Sequence, residues 1–556
     1  MSKGVLIMSN IEAKVVTYLG RNEIGKDIHI VKEVSYEDGI YKDNIRVIRD
    51  YKRPFWITKE IYRDYKDKKE AEDIKKVTMY WSTESNLRYN IPKHLGDRYI
   101  GVKDLRTVKD SPYVYGIDVD SRTFLKRSYQ KASNFASSPY RVGMFDIEVS
   151  ILTDELLVAT LATADNVYVY INKTLVKDII DPIDKVREDY KKYTPKNKFN
   201  PQLHIVVLDN EIDVIKAVFK KANYASIDYL AVWNIDYDIP KVVSIIERYG
   251  LDPADIFHYD KIPQDLKYFK YIEGRRQATT ASGKFKPINI EEQWHTVTAT
   301  TNYDFIDAMA AHRYVRVGGK TVPGGYSFSN ILKHEKVGDK LKYEDIDDSL
   351  QGPEWHNYMV AHEPIKYIVY NIWDTLAMVV LDDKTRDLST NVPLLLGVSH
   401  LSTFSSGPTR IIDSLEFFYL KNFKVLGVRP SNAEADTMLG LKDWIVNLPA
   451  FLMETNGLKN IIEDPSLASS IRLFIYDADA VSSYPSNIMA ANVSKDTTHR
   501  EIESIGDIDI LDIKLQNMNL FYGSTNVVEY MEHMFKAPGL YTLLARYKEK
   551  NKEKTY

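Results

Sequence analysis

Asp146 and Glu148 stand two residues apart in the run YRVGMFDIEV. On an extended strand alternate side chains share a face, so both carboxylates of a strand over Val142 to Val149 point the same way. Two acids held side by side repel, and one keeps a proton unless a cation or hydrogen-bond donors compensate; magnesium takes such oxygen ligands readily. Asp-x-Glu is common and carries little by itself. Its weight comes from two later segments: Asp238 in WNIDYDIP, where a strand gives way to a helix, and Asp374 in YIVYNIWDTLAM, with Tyr370 one helical turn earlier on the same face. Four acids and a phenol are the composition of a site for two divalent cations roughly 3.5–4 Å apart, one activating a water and the other stabilising the leaving oxygen of a phosphodiester.

Such a site needs elements to hold it. The sequence around these residues alternates apolar strands with helix-period segments. A strand with Asp146 is followed by the hairpin-like pair LLVATLATADNVYVYIN, turning at Asp165-Asn166, then a strand at His204 to Leu208, a helix from Glu211 to Lys221, a strand from Tyr229 to Trp233 and a helix beginning near Pro240. This mixture predicts an α/β or α+β fold. Before it, the first 140 residues mix short β-like runs with a Lys- and Asp-rich stretch, Lys59 to Lys76, whose pattern predicts a solvated helix. Residues 276–300 predict an extended hairpin with a Ser-Gly tip. Past Asp383 the sequence is mostly helix-period until the strand IRLFIYDADAV, a turn at Tyr484-Pro485-Ser486 and a charged helix, YTLLARYKEKNKEK.

Bulk properties set outer bounds. A chain of 556 residues exceeds one ordinary domain at roughly 150 residues each. Hydrophobic residues at 44% and charged ones at 27% supply cores and give no sign of global disorder. The balance of 74 Lys and Arg against 78 Asp and Glu gives no overall basic footprint, so any contact with nucleic acid must be local. The absence of cysteine removes disulfides, thiolate zinc sites and thiol catalysis. No signal-like start and no window of roughly 18 apolar residues occurs, so the expectation is a cytoplasmic protein, in the host cytoplasm if viral, with no membrane association. GGKT at Gly318 to Thr321 lacks the first glycine of a phosphate loop, and His362-Glu363 lacks the second histidine of a zinc-protease helix.

FDIEVS, WNIDYDIP and YNIWD, in this order, resemble the three exonuclease motifs of family-B DNA polymerases, here closest to the tailed-phage replicative type. The second motif differs by one residue, with two rather than three residues between Asn234 and the Tyr237-Asp238 pair, which leaves Asp236 as a secondary substitute for Asp238. The resemblance implies a ribonuclease-H-like 3′→5′ exonuclease domain in which Asp146, Glu148, Asp238 and Asp374 bind two Mg2+ ions, Mn2+ being a possible substitute, and Tyr370 orients the attacking water. DAVSSYPS, Asp479 to Ser486, resembles the first polymerase motif of the same family, with Ser483 where a leucine is usual. This implies that Asp479 binds the cations carrying the incoming triphosphate and that Tyr484 packs under its sugar. Arg546 and Lys550, one helical turn apart, resemble the two triphosphate-holding cations of a fingers helix. The later family motifs, including the one supplying the second palm aspartate, do not occur.

The domain division implied is an N-terminal domain (1–140), an exonuclease domain (141–383), a return segment (384–449), a partial palm (450–535) and the start of the fingers (536–556). The expected function is DNA replication with proofreading, on a DNA primer-template and deoxynucleotide triphosphates. Synthesis would depend on a C-terminal polymerase polypeptide. The alternatives are a stand-alone 3′→5′ exonuclease and a non-catalytic DNA-binding scaffold.

Overall fold

The computed structural model describes residues 11–429, apart from 38–39, 97–104, 133–137, 194–198, 280–284, 289–291, 317–321, 347–349 and 405, together with a strand pair, Phe521–Tyr522 with Thr525–Asn526. Asp479, Ser483, Tyr484, Arg546 and Lys550, the expected fingers segment, the expected palm segment apart from that strand pair, and the GGKT run lie outside the described residues. The chain forms two compact units, Met1–Leu439 and Gly440–Tyr556.

The centre of the first unit is a six-stranded sheet in the order Gln202–Leu208, Asn166–Asn172, Leu156–Ala162, Val142–Val149, Tyr229–Val232, Asp304–Asp307. Val142–Val149, Leu156–Ala162 and Asn166–Asn172 form an antiparallel meander. Tyr229–Val232 and then Asp304–Asp307 add in parallel on the far side of the first strand, and Gln202–Leu208 pairs in parallel beyond the third. A central strand covered on both faces must be apolar almost throughout, and Val142–Val149 is, apart from its two acids.

One face of this sheet, carrying Phe145, Ile147 and Val149, packs on the apolar stripes of helices Glu211–Tyr224 and Ile235–Arg248. The opposite face packs on the helix Pro364–Thr385, which is buried along most of its 22 residues. Asp146 and Glu148 belong to this second face. The helix therefore lies over the two acids, and its own polar residues must answer them.

The N-terminal part holds two three-stranded antiparallel sheets, Ile11–Leu19 with Ile28–Glu37 and Ile40–Arg49, and Val77–Ser82 with Arg53–Thr58 and Val114–Tyr115. After the helix Gly407–Lys421 the chain comes back to this region, where Lys424–Leu426 pairs antiparallel with Ala71–Asp73. The first N-terminal sheet joins the rest of the unit through an apolar cluster, Leu19, Ile28 and Ile30 with Tyr259, Ile262 and Leu266, and through buried charge. Lys32, fully buried, sits 3.0 Å from Asp228 at the start of the Tyr229 strand and donates to the Ile227 carbonyl.

Three expectations need correction. Lys59 to Lys76 is not a helix: it contains a single turn at Glu60–Tyr62, the strand Ala71–Asp73 and a turn at Ile74–Lys76. Its charges carry no continuous apolar stripe, and Ala71–Asp73 instead takes its backbone partners from the returning strand. The helix expected near Pro240 begins at Ile235 and contains Pro240. The long hairpin over 276–300 is shorter, Gln277–Thr279 with Phe285–Pro287, while Thr296–Ala299 pairs with Phe269–Ile272. Among the described residues no helix is long and apolar enough to cross a membrane.

Candidate active site

Each acid is delivered by a different local device. Asp146 and Glu148 come from the strand pleat. Asp238 lies in the first turn of Ile235–Arg248, buried, with its backbone N–H donating to the Asn234 carbonyl; the positive end of the helix dipole faces it. Asp236, on the same turn, points to solvent, so the helix start at Ile235 selects Asp238 for the cleft. Asp374 and Tyr370 lie one turn apart on Pro364–Thr385.

These side chains line one open cleft of about 290 Å³, together with Asn234, Tyr237, Lys340 and His356. Asp146, Glu148 and Asp374 each present an oxygen within 4.8 Å of the others. Asp238 faces the same cleft without belonging to that triad. The four acids and Tyr370 that the sequence offers for one site are thus brought together.

Every acid of the triad is held by one oxygen. Asn371 Nδ2 donates to Asp146 Oδ2 at 2.7 Å, and the amide is fixed in turn by Thr160 Oγ1, which donates to Asn371 Oδ1 at 2.6 Å. The Tyr367 hydroxyl donates to Glu148 Oε2 at 2.7 Å. Lys340 Nζ donates to Asp374 Oδ2 at 2.6 Å and to the Tyr370 hydroxyl at 3.0 Å. What remains is telling: Asp374 Oδ1 and Asp238 Oδ2 are buried and have no hydrogen-bond partner. Two buried carboxylate oxygens without donors are costly unless a proton or a cation answers them.

The electrostatics agree. Burial and the charge of Asp374 push the Asp146 carboxyl up to about 7, and burial and Asp146 push Glu148 up to about 8. Asp238 is driven well above the carboxylate range by burial, Asp146 and Glu148; Asp374 is raised by burial against the opposing charge of Lys340. Burial opposes the charge on Lys340, but Asp374 and Tyr370 outweigh it and hold the amine above its usual range. Like-charged carboxylates crowded into one dry site share protons when no cation is present. An all-oxygen, net-negative donor set with two orphaned oxygens fits a hard divalent cation such as Mg2+ or Mn2+.

Against known protein families and curated proteins, the chain matches none. The site therefore has to be understood from its own geometry.

Four residues of this geometry were not foreseen from the sequence: Tyr367, Asn371, Lys340 and His356. Tyr367 and Asn371 are seven and three residues before Asp374 on one helix, so helical spacing alone places them on the face of Asp374 and Tyr370; that signal was available. Lys340 and His356 come from the stretch between Val337 and His362, which has no periodicity to mark it, and only the fold brings them to the acids.

Proposed function

We propose that this chain is of the family-B DNA polymerase type and that its described portion is a 3′→5′ exonuclease of ribonuclease-H-like fold, acting on DNA in replication. The observation that carries the reading is the convergence of Asp146, Glu148, Asp238 and Asp374, distant in sequence, on one open cleft with two buried carboxylate oxygens unanswered. Two features support it. The acids lie in motifs ordered as in that family, and the sheet joins an antiparallel three-strand meander, whose first strand carries the first two acids, to two parallel strands on its far side.

In this reading the four carboxylates would hold two Mg2+ ions, and the chemistry such a pair would supply is activation of a water and charge stabilisation of the leaving oxygen of the phosphodiester. The protein's own groups then have distinct tasks. Lys340 balances part of the negative charge and orients Asp374. Tyr370, its phenol kept protonated by burial and by Asp374, offers a donor at the cleft wall for positioning the attacking water. Asn371 and Tyr367 each hold one carboxylate oxygen and leave the other facing the cleft. Nucleotide addition enters the proposal only through Asp479, with Tyr484 and Ser483 at the sugar and Arg546 and Lys550 at the triphosphate.

The test is a 5′-labelled primer-template incubated with the purified chain and Mg2+, with and without the four deoxynucleotides. Stepwise shortening from the 3′ end, abolished in Asp146→Ala/Glu148→Ala, is the expected result. A primer left intact by the wild-type chain, or shortened equally by the double variant, overturns the exonuclease assignment.

A further inference from the structure

Glu148 is held by a chain of two hydrogen bonds that reaches out of the helix carrying Asp374. The Tyr367 hydroxyl gives its only proton to Glu148 Oε2 at 2.7 Å. His356 Nδ1 lies 2.8 Å from the same hydroxyl. With Glu148 ionised, as a cation ligand is, that hydroxyl proton is committed to the carboxylate and the imidazole is the donor, with its proton on Nδ1. His356 comes from a separate helix, Pro353–His362, and lines the cleft. The Trp355 ring packs edge-on against both His356 and Tyr367, with centroids 5.0 and 6.0 Å away, and so fixes both ring planes. Tyr367 itself is fully buried, so its hydroxyl has no water to turn to.

We propose that His356 and Tyr367 are positioning residues: their relay fixes Glu148 as a ligand through a single oxygen, Oε1, and thereby makes cation affinity at the site depend on the helix Pro353–His362. The physical reason is direct. A carboxylate free to rotate can present either oxygen or both, whereas one with Oε2 tied to a phenol presents Oε1 in one orientation, and less ordering remains to be done when the cation arrives. His356 matters because it stops the phenol from turning away. The inference rests on the reading of Glu148 as a cation ligand, but not on the reaction the site performs.

The experiment measures Mn2+ binding to the full chain by electron paramagnetic resonance, beside thermal unfolding and primer hydrolysis, for Tyr367→Phe, His356→Ala and His356→Asn. The asparagine amide can put an N–H where Nδ1 stood. Tyr367→Phe and His356→Ala are each expected to weaken Mn2+ binding by about 10-fold, within the range typical of groups that orient a metal ligand, and His356→Asn to restore most of the affinity. Unchanged binding in Tyr367→Phe and His356→Ala overturns the relay. So does a loss in His356→Ala that His356→Asn fails to restore, since that is the mark of lost packing. A wild-type chain that binds no Mn2+ overturns it as well. If Mn2+ binding follows the expected pattern while no variant and no wild-type sample shortens DNA, the relay stands and the exonuclease reading falls.

Discussion

The carboxylates of the cleft are not interchangeable, and single substitutions should separate their roles. Asp238 carries a buried oxygen without a partner and is pushed up by burial, Asp146 and Glu148. Asp238→Asn relieves repulsion in the cation-free protein while removing a cation donor. The expected outcome is a melting temperature equal to or above wild type in chelator, with hydrolysis reduced at least on the order of 100-fold, the upper end of what changes around a metal cost. Asp236→Asn, two residues away and exposed, should leave hydrolysis within about twofold, since exposed substitutions clear of such features change little. Primer-shortening rates and thermal melts on the two variants decide this. Loss of activity in Asp236→Asn with Asp238→Asn intact would reverse the assignment of the third acid.

At the scale of elements, the site depends on the register between the strand Val142–Val149 and its neighbour Leu156–Ala162. Asp146 stands directly opposite Thr160, and Thr160 orients the Asn371 amide that holds Asp146. Strand register thus reaches the helix Pro364–Thr385 through one hydroxyl. Thr160→Val keeps the shape and deletes the donor, so it should cost about 1–2 kcal/mol of stability, the ordinary range for removing one partner of a buried hydrogen bond. It should also raise the Mg2+ concentration needed for half-maximal hydrolysis. Denaturant unfolding and a Mg2+ titration measure the two effects; a stable variant with an unshifted titration would mean that the hydroxyl does not transmit to the acid.

For the whole molecule, the protons on the acid cluster link cation binding, pH and stability. The carboxyls of Asp146 and Glu148 have ordinary values of 3.8 and 4.5 and stand at about 7 and about 8 in the folded chain. A raised carboxyl means that the folded state holds protons the unfolded state has released, so this contribution to stability is present at low pH and is lost as pH rises from about 4 to about 8. Mg2+ should reverse the trend, because the cation replaces the protons: the melting-temperature gain on adding Mg2+ should grow between pH 6 and pH 8 and should vanish in Asp146→Ala/Glu148→Ala. A gain independent of pH would mean that the cluster is already ionised without the cation. The joint between the N-terminal sheets and the central sheet is a second whole-molecule feature. Lys32→Ala leaves Asp228 buried without its ion-pair partner and should cost about 3–5 kcal/mol, as breaking one side of a buried pair does. Chemical denaturation reads that loss directly.

The sequence by itself determined most of what is local. Alternation placed Asp146 and Glu148 on one strand face over Val142–Val149, and helical spacing placed Tyr370 below Asp374; both patterns are properties of the backbone repeat and need no partner to be read. Tertiary structure decided the rest. The choice of Asp238 over Asp236 depended on a helix that starts at Ile235, five residues before the proline that seemed to mark it. The segment Lys59 to Lys76 followed strand pairing with Lys424–Leu426, more than three hundred residues away. Lys340 and His356 reached the acids through a stretch of chain whose path is set by packing against the helix Pro364–Thr385, not by any repeat of its own. Periodicity encodes which way a side chain points along its own element. Which groups finally answer a buried charge is settled by contacts between distant elements, and no local pattern records those.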